Sequence, residues 1–281
     1  MAVYSGRFGS IANCGQVAQW SMETSITDNA QSNSATKGAK MRDQGIMDWT
    51  GSCTFLGKTF PGQFDWDDST EITLKTGSLQ WGQGGRSFSG NMVWTSAAIS
   101  GDCSSGARIQ TQVSFAGDGP LSASESGSNG DGNPIIILSK DCHISWNGSE
   151  IAWKSFSFTV NHEAQEYVDS TCYDAQTDQV WKKRLPGIID CTGTIDYLGD
   201  TEIGDMNDIG ELAITCSNPN IVILKLGYAR YMGTGSFTVD PSSGSLVGGQ
   251  SKFNMAAHND GGSMGSLWLY DTKIFPPGSG N

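Results

Sequence analysis

The sequence repeats itself. Sixteen residues from Arg42 to Gly57 align without a gap to sixteen from Arg184 to Gly199. Eight positions are identical: Arg42/Arg184, Gly45/Gly187, Ile46/Ile188, Asp48/Asp190, Thr50/Thr192, Gly51/Gly193, Leu56/Leu198 and Gly57/Gly199. Unrelated stretches of average composition would share about one. Two flanking blocks follow in the same order. Val17–Thr24 matches Ile151–Phe158 upstream, and Gly106–Phe115 matches Gly244–Phe253 downstream. The offsets between the copies drift from 134 to 142 to 138 residues, which places insertions between conserved segments, where loops absorb them. Between the copies lies Ser122–Pro134, rich in Gly, Ser and Asn, with the composition of a flexible linker. The repeat predicts a domain over residues 1–121, a linker over 122–134, and a second domain over 135–281 with a C-terminal extension.

The repeated blocks alternate with the period of two expected of half-buried strands. In the central block Trp49, Gly51, Cys53 and Phe55 fall on one face and Thr50, Ser52 and Thr54 on the other. The second copy sets Cys191, Gly193, Ile195 and Tyr197 against Thr192, Thr194 and Asp196. The last block turns Ile109, Thr111, Val113 and Phe115 inward and Gln110 and Gln112 outward. In the first, Trp20 and Met22 oppose Ser21 and Glu23, and Phe156, Phe158 and Val160 oppose Ser155, Ser157 and Thr159. No window carries a sustained helical pattern, and 37 glycines against 16% charged residues suit short strands joined by turns. The class predicted is mainly β, as two tandem copies of one β-rich unit. Asp205-Met206-Asn207-Asp208 is a candidate helix start.

The outward residues are small hydroxyls and amides with few lysines or arginines, and the formal net charge is −12. Such a surface lacks the clustered cations that grip phosphate, although it suits a wall past which DNA slides. Seven cysteines without C-x-x-C spacing read as reduced, mostly buried small hydrophobes of a chain folded in cytosol. No secretory leader pattern or membrane span is apparent. Catalytic and metal motifs are fragmentary. Ser34-x-x-Lys37 and Lys75-Thr76-Gly77 stand far apart without the remaining β-lactamase signature. Gly82–Arg86 lacks the rest of a phosphate loop, Asp141-Cys142-His143 has no ligand spacing, and Asp65, Asp67, Asp68 and Glu71 lack the calcium-loop glycine. Neither catalytic residues nor a metal or cofactor are expected.

These segments together resemble a family. A strand carrying Trp20-Ser21-Met22-Glu23 is followed by a long loop. Next comes Arg42-x-x-Gly45-Ile46-x-Asp48-x-Thr50-Gly51-Ser52-x-x-Phe55-x-Gly57, and a late strand closes on Ser114-Phe115-x-Gly117. The order is similar to that of major tail-tube proteins of long-tailed phages, over most of each half. The second copy departs at Phe253-Asn254-Met255. The resemblance implies a virion protein assembled in the host cytoplasm, whose two tandem β-sandwich or barrel units, each with at most one short flanking helix, form stacked rings around a channel for double-stranded DNA. Its partners would be its own copies, together with tape-measure, terminator and baseplate or tip proteins, without a membrane. Three chains with two units each would make a pseudo-sixfold ring. On that reading Ser21, Glu23, Ser52, Thr54, Gln112, Ser155, Ser157, Thr194, Asp196 and Gln250 face the lumen. The segments 25–41 and 159–183, with Ser25, Asp28, Lys37, Lys40, His162, Glu166, Asp169 and Asp174, would be ring-stacking loops. Arg42 with Asp48, and Arg184 with Asp190, would be a repeated ion pair shaping the loop. The alternative from composition is a tandem β-sandwich binding module for carbohydrate or a receptor, as in a fibre or adhesin, because nine Trp and seven Tyr offer stacking platforms.

Overall fold

A computed structural model describes residues 2–11, 15–27, 29–31, 37, 40–43, 45–56, 77–83, 86–103, 106–124, 136–176, 178–199, 203–218, 220–256 and 267–271. The first half holds β1 (Ala2–Ile11), β2 (Gly15–Ile26), β3 (Asn29–Gln31), β4 (Met41–Asp43), β5 (Ile46–Leu56), β6 (Gly77–Gln83), β7 (Arg86–Asp102), β8 (Gln110–Gly117) and β9 (Ser122–Ser124). The second holds β10 (Cys142–Trp146), β11 (Ser149–Ile151), β12 (Trp153–Tyr167), β13 (Tyr173–Asp174), β14 (Gln179–Trp181), β15 (Lys183–Leu198), β16 (Ile209–Ser217), β17 (Asn220–Val239), β18 (Leu246–Met255) and β19 (Leu267–Asp271). The fold is mainly β. Among the described residues the helical elements are two 3-10 turns, Ser139–Asp141 and Ser170–Cys172. The candidate helix start at Asp205–Asp208 is a turn instead. Asp208 Oδ2 accepts from the Asp205 amide at 2.9 Å, so the aspartate side chain bonds locally where a helix would continue.

Both halves use the same strand order. β2 pairs β5, β5 pairs β8 and β8 pairs β7. In the second half β12 pairs β15, β15 pairs β18 and β18 pairs β17. β7 and β17 are long and bend, so their N-terminal parts pair β6 and β16 respectively. β1 joins β2 to β6, and β10 pairs β11 and β16; the buried apolar residues of both halves belong to one continuous cluster. Inward positions carry the apolar residues expected from the sequence: Met22, Phe55, Val113 and Phe115 in one half, and Phe158, Cys191, Ile195 and Phe253 in the other, all 2% exposed or less.

The repeated Gly51 and Gly193 are needed for close approach. A Cβ at Gly51 would stand 2.5 Å from the Phe115 ring, and one at Gly193 would stand 2.2 Å from the Phe158 ring. These glycines also fix the equivalence of the halves. Gly51 lies opposite Met22 and Gly193 opposite Phe158, so β2 matches β12 at an offset of 136, two more than the sequence alignment suggests. A two-residue slip keeps every side chain on its face, which is why the predicted faces survive it.

The halves are not separated by the predicted linker alone. Ser122–Ser124 form β9 against Ser87–Ser89, and residues 125–135 lie outside the described residues. Residues 96–102 of β7 pair residues 155–161 of β12, from Ser96↔Asn161 to Asp102↔Ser155. One hydrogen-bonded wall therefore runs β2-β5-β8-β7-β12-β15-β18-β17 through both copies of the repeat.

Candidate assembly wall and its seam

All ten residues predicted to face a lumen lie on one face of that wall, opposite the core. The register shows this directly. Ser21 stands opposite Ser52, Thr54 opposite Gln112, Ser157 opposite Thr194, Ser155 opposite Asp196, and Asp196 opposite Gln250. Across the seam Gln112 pairs Ala98, and Ala98 pairs Thr159, which keeps the parity. Glu23 sits two residues from Ser21 on the same face. Many of these groups bond sideways to one another. The Ser21 and Ser52 hydroxyls are 2.9 Å apart, the Ser155 hydroxyl donates to Asp196, and the Gln250 amide donates to Asp196 at 2.9 Å.

The seam is reinforced by charge. Arg184, 3% exposed, donates from Nη1 and Nη2 to the two carboxylate oxygens of Asp48 at 2.8 and 2.7 Å. It also donates to Glu166 at 2.9 Å and to the Gly117 carbonyl. Lys182 adds contacts to Asp48 at 3.1 Å and Glu166 at 2.8 Å. Burial pushes the Asp48 carboxyl up, but Arg184 and Lys182 outweigh it and hold the group below the usual carboxylate range. The hydrogen bond from Lys182, ahead of Arg184's contribution, likewise lowers Glu166. The predicted pairing is thus corrected. Arg184 reaches Asp48 of the other copy, because β14 and the start of β15 lie across the seam, with Val180 and Trp181 parallel to Ile46 and Met47. Asp190 points to solvent instead. Arg42 is on β4, opposite Ala30.

The predicted loop 159–183 is also corrected. β12 runs through to Tyr167, β15 begins at Lys183, and a β13–β14 hairpin fills the space between them. His162 is 4% exposed within the seam. Its Nδ1 donates to the Trp94 carbonyl at 2.6 Å and its Nε2 accepts from the Gly187 amide at 3.0 Å, which fixes the neutral Nδ1–H tautomer. The polar residues at positions 161–166 alternate because they belong to a strand at a packed joint, a pattern easily mistaken for a loop. Glu166 serves the ion cluster, Asp169 caps the 3-10 turn at Thr171, and Asp174 lies on the hairpin. Ser25 pairs Asp48 in the wall. Lys37 and Lys40 are exposed, and Asp28 lies outside the described residues, as do Asp65–Glu71.

An open hollow of about 520 Å³ lies on the wet face beside the seam, lined by Glu23, Thr50, Ser52, Ser114, Glu166 and Arg184 among others. Among the described residues no cluster of three metal-ligating side chains occurs. Burial pushes the Cys191 thiol up to about 12, with Asp190 adding to the shift, and the thiols of Cys142 and Cys216 are raised as well. These groups are therefore poor nucleophiles. No described helix is long and apolar enough to cross a membrane.

The two ends of the wall differ from its middle. Residues 234–239 of β17 correspond to 97–101 of β7, since Thr234 and Ser236 face Ser251 and Gln250 as Ala97 and Ala98 face Val113 and Gln112. In the middle Ile99 is fully buried, whereas its counterpart Phe237 is 50% exposed, as is Val239. Among the described residues, 232–239 pair on one side only, with β18. Ile188, counterpart of the half-buried Ile46 beneath β14, is 71% exposed. No protein-family model matches this chain, and no curated protein matches it.

Proposed function

We propose that this chain is a structural subunit whose copies repeat the internal seam between molecules and close into a ring. Stacked rings would then form a tube that conducts double-stranded DNA, the role of a phage tail tube. One observation carries the reading: the β7–β12 seam joins two equivalent four-stranded sets, and the same apolar strand edge that is buried there is exposed on β17. A bare edge of this kind invites another strand, and ring closure removes it. Three chains of eight wall strands, at about 4.8 Å spacing and about 40° tilt, would enclose a backbone radius of about 24 Å, roomy enough for a DNA duplex. The repeated seam would set Arg42 of one copy beside Asp190 of the next. The polar face of the wall, its groups bonded sideways, would line the bore. The role is mechanical, and the site of action would be the virion tail.

The polar hollow beside Arg184 supports a second reading, a binding module for a small polar ligand such as a sugar. Against it, Trp20, Trp49, Trp94, Trp146 and Trp181 are all buried, so they offer no stacking platform. Negative-stain micrographs of the purified chain separate the two readings. Rings or rods with a central hole and threefold or pseudo-sixfold symmetry are expected, whereas solid discrete particles at every concentration would overturn the tube.

A further inference from the structure

The leading edge that such a ring requires is occupied in the isolated chain. β1 lies along β2 from Ala2↔Thr24 to Ile11↔Gly15. Its counterpart is β10, since both precede the first wall strand of their half and both pair the strand that leads into the long last wall strand, β6 or β16, with Ile11 opposite Trp81 and Ile144 opposite Ile214. Upstream the two behave differently. In the second half the chain before Cys142 leaves the wall through the 3-10 turn Ser139–Asp141, and β7 holds the vacated edge of β12. The displaced residues rest instead on the approach to β8. Leu138 bridges Arg108, the Ile109 amide donates to the Ile137 carbonyl at 2.9 Å, and the Ser139 amide donates to the Ala107 carbonyl at 3.0 Å. At the offset set by Ile11 and Ile144, residues 136–139 correspond to Val3–Gly6. Those residues lie along Glu23–Trp20, within the edge that β17 of a neighbour would need. Equivalent stretches of chain thus have two resting places, on the first wall strand or folded away onto the preceding unit.

We propose that residues 2–7 of β1 are a removable latch. They cover the edge of β2 in the free chain and are displaced by residues 234–239 of a second copy. The released segment then settles on Ser245–Val247 of that copy, the counterpart of Ala107–Ile109. This inference rests on the ring reading above. The exchange replaces one set of strand hydrogen bonds with another, so its net gain comes from burying Phe237, Val239 and Val247, the last 41% exposed in the free chain. The latch also explains how a chain with a bare β17 edge avoids immediate pairing, since the receiving edge is masked until two copies meet.

Ser5 and Ser21 are directly opposite, so Ser5→Cys with Ser21→Cys, in a Cys103→Ser background, gives a staple that locks the latch. Arg7→Cys with Gln19→Cys is the second staple, should the first fold poorly. The full chain is followed by light scattering and micrographs. With the crosslink verified by mass and far-ultraviolet circular dichroism unchanged, the oxidised chain is expected to remain monomeric where the reduced one forms rings. Deletion of residues 2–7 should speed ring formation relative to the full chain. Oxidised and reduced chains forming rings at the same rate would overturn the latch while leaving the ring intact. Absence of rings from the wild-type, reduced and truncated chains alike would overturn the ring, and the latch with it.

Discussion

Arg184 and Arg42 occupy the same place in the repeat, yet they should fail differently when removed. Arg184 spends its guanidinium inside the free chain, nearly sealed from water, on both Asp48 oxygens, on Glu166 and on the Gly117 carbonyl. Replacing it by methionine keeps most of the bulk but strands Asp48, itself only 16% exposed, with Lys182 as its remaining cation. Breaking a buried pair from one side costs about 3–5 kcal/mol, and the surviving Lys182 contact puts this case near 3 kcal/mol. The Glu166 contact adds little, because that side chain is half exposed. For a chain of this size, about 3 kcal/mol lowers Tm by roughly 5 °C. Chemical and thermal denaturation of the Arg184→Met chain, kept below its assembly concentration, measure this directly. On the proposed ring the counterpart of Asp48 would be Asp190 of another molecule, so Arg42→Met should cost the free chain less than Arg184→Met does and weaken ring formation instead. The wild-type seam should also respond to acid. The depressed Asp48 pKa means that its stabilisation is complete above the usual carboxylate range and fades as pH falls through the lowered value, whereas Arg184→Met should lose most of that dependence. A loss below 1 kcal/mol for Arg184→Met, or equal losses for both arginines, would refute the reasoning.

Three further outcomes can be checked. Gly193→Ala drives a methyl to 2.2 Å from the Phe158 ring and should cost about 1–3 kcal/mol, read as a shift of the denaturation midpoint. Thr54→Lys, Thr194→Lys and Gln112→Lys lie on the wet face and should melt within about 0.5 kcal/mol of wild type, while slowing DNA release in an ejection assay by adding phosphate contacts. Unfolding of these variants would show that the faces are reversed. Among the six described cysteines, a thiol reagent applied to the native chain should label Cys103 first and Cys191 last, as mass mapping of the labelled peptides would show.

The alternation of apolar and polar residues made the strands legible, because period two states a strand's class and its buried face together. Trp49, Cys53 and Phe55 read as core from the sequence and are core. The same pattern was blind to register. Pairing Ser21 with Ser155 or with Ser157 satisfies alternation equally well, and only the strand ladders select the second: Ser21 lies opposite Ser52 and Ser157 opposite Thr194, which are equivalent positions of the repeat. His162 and Arg184 were misplaced for another reason. Polar residues buried at a joint between two sheets look like loop residues until the partner strand is known, since several of their hydrogen bonds reach far along the chain, to Trp94, Asp118 and Asp48. The repetition of Arg and Asp in both copies was visible. That the arginine of one copy serves the aspartate of the other was not, because sequence identity carries no information on which copy is the neighbour.

The β7–β12 joint has a mechanical consequence. It is made within a single polypeptide, so it forms at the high local concentration that a covalent tether provides and survives any dilution that the folded chain survives. In a closed ring such joints would alternate with ones held only by association. Pulled or cooled, the wall would part at every second joint and shed whole molecules, never half of one.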